Sequence, residues 1–261
     1  GGKIQNPLWR PWDVFWKGDI TPDGAGINYT YKLNPKVDIF MNDLVYFMKN
    51  DSRLDKQIAL ATFQPGVNIA VDNKTSLKTA VGYNQFFNIK GANAFNNAGT
   101  RTNSGVTGSG SSSSGQYKYN YNSVQPTAEL SFKQPFSGLL PYAAIFGEYM
   151  YNVSLPSNAT GAGGYQAGIK FGTENITDWG QWRTQLVYSK LGRDCWLDIF
   201  TDSDRYGGKT NSKAYETVFS YGLGKNTWLD LDYYYAESLT QSATTGRAPE
   251  HVLQVDWNMK F

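Results

Sequence analysis

The sequence predicts an all-β fold: a transmembrane, antiparallel, up-and-down β-barrel of about 12 strands, with short periplasmic turns and long extracellular loops. Three observations carry this. Apolar and polar residues alternate with period two in segment after segment. The segments recur every ~20–22 residues, which suits strands of ~9–11 residues tilted across a hydrocarbon layer. Aromatic residues gather at the strand ends, where a bilayer has its two interfaces.

The alternation is plainest at the C-terminus. Leu253, Val255, Trp257, Met259 and Phe261 share one parity, and Gln254, Asp256, Asn258 and Lys260 share the other. Upstream, Leu229, Leu231, Tyr233 and Tyr235 oppose Asp230, Asp232 and Tyr234. Tyr215, Thr217, Phe219, Tyr221 and Leu223 oppose Glu216, Val218 and Ser220. Trp182, Thr184, Leu186 and Tyr188 oppose Arg183, Gln185 and Ser189, and Tyr165, Ala167, Ile169 and Phe171 oppose Gln166 and Lys170. Ala128, Leu130 and Phe132 oppose Glu129, Ser131 and Lys133, while Ile27, Tyr29, Tyr31 and Leu33 oppose Asn28, Thr30 and Lys32. Less regular strands are expected at 37–47, 57–71, 77–88 and 139–151, with a bulge at Pro65 and Gly66. A short first strand is expected over 3–8. The whole chain, 1–261, reads as one domain.

Connections alternate in length. Tight turns are expected at 34–36, 72–74, 136–138, 175–180 and 224–227. Long segments are expected at 9–23, 48–56, 89–124, 152–161, 192–211 and 238–250. The Gly/Ser/Asn-rich stretch 91–115 reads as a mobile extracellular loop. Alternation alone fits a soluble barrel or sandwich too. The aromatic belts break the tie, with Trp179, Trp182, Trp228 and Phe261 near short turns. Phe86, Phe87, Tyr149, Tyr151, Tyr188 and Tyr235 lie near long ones. No segment has the pattern of a helix that could cover an apolar face, and no apolar run of about 18 residues exists to form a spanning helix.

Composition removes other classes. A net charge of +2 without a basic stripe argues against a nucleic-acid partner. Cys195 and His251 are each alone, so no internal disulfide, multi-histidine metal site or usual His-based catalytic set is available. The Gly-Gly start reads as a processed or trimmed terminus.

Two stretches resemble a known family. Asn6-Pro7-Leu8 followed by 16–24 (WKGDITPDG), and 207–213 (GGKTNSK) followed by 221–226 (YGLGKN), are similar to the "Putative porin" family of Gram-negative outer membranes. Lys17 stands where that family more usually has Asp, and its members are often longer at the N-terminus. The resemblance implies passive solute passage across the outer membrane.

Candidate functional residues lie on the inward parity. Lys32, Lys78, Lys133, Lys170, Arg183 and Lys260 face Asp38, Glu129, Glu148, Glu216, Asp230, Asp232 and Asp256 as a mixed-charge pore wall. The expected function is a narrow polar channel for small hydrophilic solutes or ions. The alternative is a structural or surface-interaction barrel whose charges close the lumen. The expected partners are outer-membrane lipid and lipopolysaccharide, the barrel-assembly machinery, and the solutes themselves. No cofactor, metal or catalytic residue is expected. Asp202-Ser203-Asp204 lacks the full calcium-loop spacing and reads as a solvated extracellular turn. His251 has no Gly-x-Ser-x-Gly partner, so an enzymatic barrel is disfavoured.

The terminal alternating aromatic strand reads as the assembly signal, with Phe261 at its end. Deleting Phe261 is expected to lower the folded, heat-modifiable protein recovered in outer membranes. Unchanged recovery would remove that role.

Overall fold

In the computed structural model, residues 2–96, 99–240 and 248–260 are described. Phe261, the expected assembly signal, lies outside them. The strands are β1 (Gly2–Lys3), β2 (Asp23–Asn34), β3 (Val37–Asp51), β4 (Lys56–Ala70), β5 (Thr75–Phe87), β6 (Val106–Thr107), β7 (Ser114–Gly115), β8 (Ser123–Lys133), β9 (Tyr142–Asn152), β10 (Gly163–Gly172), β11 (Trp182–Leu191), β12 (Ser212–Gly224), β13 (Thr227–Ser238) and β14 (Glu250–Met259). All but β6 and β7 belong to one 12-stranded sheet in chain order, antiparallel throughout. β6 and β7 form a separate small hairpin within the longest connection.

The alternation read from the sequence is the alternation of the sheet. On β12, Ala214, Glu216, Val218 and Ser220 are buried while Tyr215 and Phe219 are exposed. On β9, Tyr142, Ala144, Phe146, Glu148 and Met150 are buried, against exposed Ile145, Tyr149 and Tyr151. Leu253, Val255 and Trp257 of β14 are 60–71% exposed. The sheet thus hides polar groups and presents apolar ones, the reverse of a soluble protein. Two glycines allow close packing within the hidden face. A Cβ at Gly66 would stand 2.2 Å from the Phe40 ring, and one at Gly168 would stand 2.4 Å from that of Phe146.

The sheet is strongly curled, as one short segment shows. The Asn28 side chain on β2 donates to the Pro7 carbonyl (2.7 Å), and the Trp12 indole donates to Glu216 on β12 (2.7 Å). On a flat sheet, eight strand steps would part β2 and β12 by about 38 Å. The five residue-to-residue steps from Pro7 to Trp12 span at most about 18 Å. Side chains stand perpendicular to a sheet, so they cannot close that gap sideways. The sheet wraps around the segment.

Several expectations need correction. The first strand is not 3–8 but two residues, because the chain leaves the sheet at Ile4, and Pro7 has no N–H to give a ladder. Pro65 makes no bulge. The β4–β5 register is the same on both sides of it, from Phe63↔Tyr83 to Gly66↔Ala80, and the real irregularity falls between Phe47 and Lys49. The 48–56 connection is short, since β3 and β4 extend until only 52–55 remain. The 175–180 turn belongs to a longer connection, 173–181, held by the Gln181 side chain. Phe86 is 3% exposed and faces inward, and Trp228 shares the inner parity with Asp230, so neither belongs to an aromatic belt.

Leu186 lies mid-strand on the outer face of β11. Leu186→Arg is expected to lower unfolding free energy in lipid by about 2–4 kcal/mol. Lys133→Gln, on the inner parity, should stay within about 0.5 kcal/mol. Equal effects in denaturant titrations would mean that the outer face does not meet lipid.

Candidate functional site: a polar interior threaded by the N-terminal segment

The inner wall is mainly amide and hydroxyl. Asn42, Thr62, Gln64, Asn84, Gln125, Thr127, Gln166, Gln185, Ser189 and Ser220 are all buried there. Neighbouring strands link them: Asn28 donates to Asn42, Asn42 to Gln64, and Thr62 to Asn84 (2.7–2.8 Å). Pairing lowers the cost of burying such a wall, although Gln166 Oε1, Gln185 Nε2 and Ser220 Oγ are left without a partner.

Residues 9–23, expected as an extracellular loop, instead enter this interior. The Gln64 amide accepts from the Trp9 N–H and donates to the Trp9 carbonyl, each at 2.8 Å, so it stands in for a neighbouring strand. Lys78 lies 4.7 Å above the Trp9 ring. Lys170 donates to the Pro11 carbonyl (2.9 Å) and Gln166 to that of Trp12 (3.4 Å). The segment then climbs to the loop side. There Phe15 accepts from the Trp196 indole (2.8 Å), and the rings of Trp16 and Phe200 lie 4.4 Å apart. Tryptophans at 9, 12 and 16, with prolines at 7 and 11, were the available sequence signal; a solvated loop has no use for three indoles.

Above the segment, connections 89–122 and 192–211 form a packed cap. The stretch 91–115 is not a mobile loop as a whole: Ala92, Ala94, Phe95, Arg101, Asn103 and Val106 are buried. Arg101 pairs with Asp198 at 2.8 Å, both side chains fully enclosed. Asp198 also accepts from the backbone N–H of Thr102 (2.6 Å) and Asn103 (2.9 Å). Burial raises the Asp198 carboxyl, and Arg101 opposes that rise. Asp194 accepts from the Ser104 N–H and the Tyr121 hydroxyl. Asp202 is 3% exposed while the Asp204 side chain is 42% exposed, so the 202–204 turn is solvated only at its far end. Low complexity concealed this core, because its polar anchors and aromatics are scattered among glycines and serines.

The charged residues expected on the wall fall into two zones. Lys32, Lys78, Lys133, Lys170, Arg183 and Lys260 all lie within about four residues of a short-turn strand end. Acidic neighbours accompany them: Asp38 opposite Lys32, Glu129 opposite Lys78, and Glu129 bonded to Lys170 at 2.7 Å. Lys32, Lys133 and Lys260 are exposed at that rim, and Arg183 donates to the Glu174 carbonyl (3.3 Å). Asp230 accepts from Trp228 (3.0 Å) and Asn258 (2.8 Å), and stands opposite exposed Asp256. Farther in, Glu148 accepts from the Gln125 and Gln166 amides, Glu216 from Trp12, and Asp232 from the Tyr234 hydroxyl.

Sequence reading missed Arg10, Asp13, Arg101 and Arg205. Arg205 is fully buried, donates to Ser189 (2.8 Å) and Ser212 (3.1 Å), and is brought down to about 10 by burial. His251 faces outward, sharing a 2.8 Å hydrogen bond with the Tyr233 hydroxyl. Clefts open at both ends. One of about 770 Å³ is lined by Asn158, Lys190 and Arg193, and one of about 420 Å³ by Arg183, Trp228 and Lys260.

Asp13 is pushed from 3.8 to about 7, first by burial and then by Asp202 and Asp232, with Arg10 opposing. A raised carboxyl favours the protonated, docked segment. Docking is therefore strongest below about pH 4 and weakens as pH climbs to about 7. Amide-exchange protection over 9–16, corrected for intrinsic rate, is expected to fall across that window, and Asp13→Asn should flatten the change. A slope unaltered by Asp13→Asn would assign it elsewhere.

In shape the chain is similar to the CymD monoaromatic hydrocarbon channel, with a TM-score of 0.40 and 11% identity over 92% of this chain and 72% of that one. No curated protein matches it in sequence. The model of the family described as "Putative porin" matches residues 1–138 and 142–261. With polar groups inside and apolar groups outside on nearly its whole length, the chain belongs to that family.

Proposed function

We propose that the protein is an outer-membrane β-barrel channel for passive diffusion of small hydrophilic solutes or ions. The observation that carries this reading is the inverted polarity of the sheet. Amide, hydroxyl and carboxylate groups line one continuous inner wall, and the outer face is aromatic and aliphatic. Hydrocarbon tolerates no unpaired backbone edge, so a sheet with this outer face closes on itself in the bilayer. The edge formed by β1 and the rest of β2, and the edge of β14, are the two that remain to be joined. Outward aromatic and aliphatic side chains meet lipid and lipopolysaccharide, the barrel-assembly machinery inserts the closed sheet, and the polar wall meets solute. Family membership supports a channel rather than an enzyme.

The second reading, a barrel with an occluded lumen, is favoured by one observation: residues 7–16 run through the interior and bond to both sides of it. Planar-bilayer recording separates the two. Discrete ion currents are expected from the purified protein. Lys170→Gln with Arg183→Gln should leave the folded, heat-modifiable form intact and shift the reversal potential in a salt gradient toward cations, by roughly twofold in permeability ratio. No current under any condition would establish the sealed barrel. Current with an unmoved reversal potential would remove these two residues from the conducting path.

A further inference from the structure

The two charge zones of the wall raise a question that the channel reading leaves open, namely what solute the inner zone fits. The six basic residues read on the wall from the sequence sit at the short-turn end, and Lys49 at the loop end is taken up by Asp51 and the cap carbonyls of Asn93 and Ala94. Glu148 and Glu216 are four residues from the loop-side ends of β9 and β12, and Asp232 is near the middle of β13. Asp13 from the threaded segment and Asp202 from the cap face the same region. Among the described residues, none of these five carboxylates has a Lys or Arg nitrogen within 4.0 Å. The positive charges that act on them come from outside the strands: Arg10 toward Asp13 and Glu148, Arg205 toward Asp202 and Glu216, and Lys17 toward Asp202.

A second observation is independent of charge. Two side chains more than nine-tenths buried keep acceptor oxygens without a donor: Asp202 Oδ2 and Gln166 Oε1, at 3% and 1% exposure. Asp13 Oδ1 and Asp232 Oδ1 are likewise unmatched. Buried acceptors in want of donors define what would complete them, a group with several N–H bonds and a positive charge. Guanidinium has five N–H donors in a planar fork, and ammonium has three. The threaded segment brings a guanidinium close to this region: Arg10 lies two residues before Trp12, which donates to Glu216 and accepts from Gln166, itself a donor to Glu148.

We infer that Glu148, Glu216, Asp232 and Asp202 form a cation-selecting zone, in which Arg10 of the threaded segment occupies the place of a small guanidinium- or ammonium-bearing solute. The inference rests on the channel reading and names its solute class. When the segment withdraws, Arg10 leaves with it and the zone is left with acceptors in excess. A cation entering from the loop side then meets carboxylates before it meets the basic rim. An anion meets the reverse order and is held back by the inner zone, where low dielectric strengthens the repulsion. Gln166 and Gln125 hold Glu148 by hydrogen bonds from the wall, so its position does not depend on the segment, whereas Glu216 loses its Trp12 donor when the segment leaves.

The test uses the full chain in planar bilayers, with a potassium chloride gradient and methylguanidinium chloride as the probe. The wild type is expected to favour potassium over chloride by about fivefold and to show concentration-dependent block or permeation by methylguanidinium. Glu148→Gln with Glu216→Gln should bring the ratio toward one and abolish the methylguanidinium effect. Glutamine is nearly isosteric and already abundant on this wall, and heat-modifiable migration verifies the fold. Arg10→Gln should move the ratio the other way and increase sensitivity to methylguanidinium. An anion preference in the wild type, or an unchanged ratio in the double variant, would overturn the inference and leave the channel reading standing. Absence of current in the wild type and in Arg10→Gln alike would overturn the channel reading itself, and this inference with it.

Discussion

One constraint organises the molecule: in hydrocarbon, every backbone N–H and C=O must be paired by the protein itself. A sheet in chain order meets it with the shortest connections, since each strand pairs with its sequence neighbours. Once backbone pairing fixes the sheet, period-two geometry sends alternate side chains to opposite faces. Lipid then claims one parity, and the polar groups have only the interior left. The amide-rich wall, the buried carboxylates and the threaded segment all follow from that exclusion.

Strand parity was legible in the sequence because one-sided burial leaves a repeating trace. Glu216, Val218 and Ser220 could be assigned inward from their outward neighbours Tyr215 and Phe219 alone. Connections left no such trace. Residues 9–22 looked like a loop by length, and nothing periodic reveals that Trp12 bonds to Glu216. The 89–122 connection looked mobile by composition, yet Arg101, Asn103 and Tyr117 converge on Asp198, some 80–100 positions away. Long-range pairing of isolated polar residues has no local signature. The site was therefore half readable: which side chains face inward could be listed, but not what they face.

Inside the sheet, two kinds of filling coexist. Near the loop end it is apolar, with Trp16, Trp196, Phe200 and Phe86 stacked at centroid distances of 4.4–6.2 Å. Farther down it is polar, and the segment is held through two hydrogen bonds to Gln64 and one each to Lys170, Gln166 and Glu216. Each such bond contributes only about 0.5–1.5 kcal/mol net, since water competes for the same groups. The aromatic end is thus the firm anchor, and the polar part below it, which carries Arg10 and Asp13, is the more easily released.

The Trp12–Glu216 hydrogen bond joins residues 204 positions apart, and Phe15–Trp196 joins residues 181 apart. The groups that hold Trp12 and Phe15 from the far side therefore lie in the last part of the wall and cap to appear in the sequence. Loop closure over such separations is slow compared with pairing neighbouring strands. An incomplete chain that stops before β12 keeps the Gln64, Lys170 and Gln166 partners of the segment and lacks the Glu216 partner of Trp12.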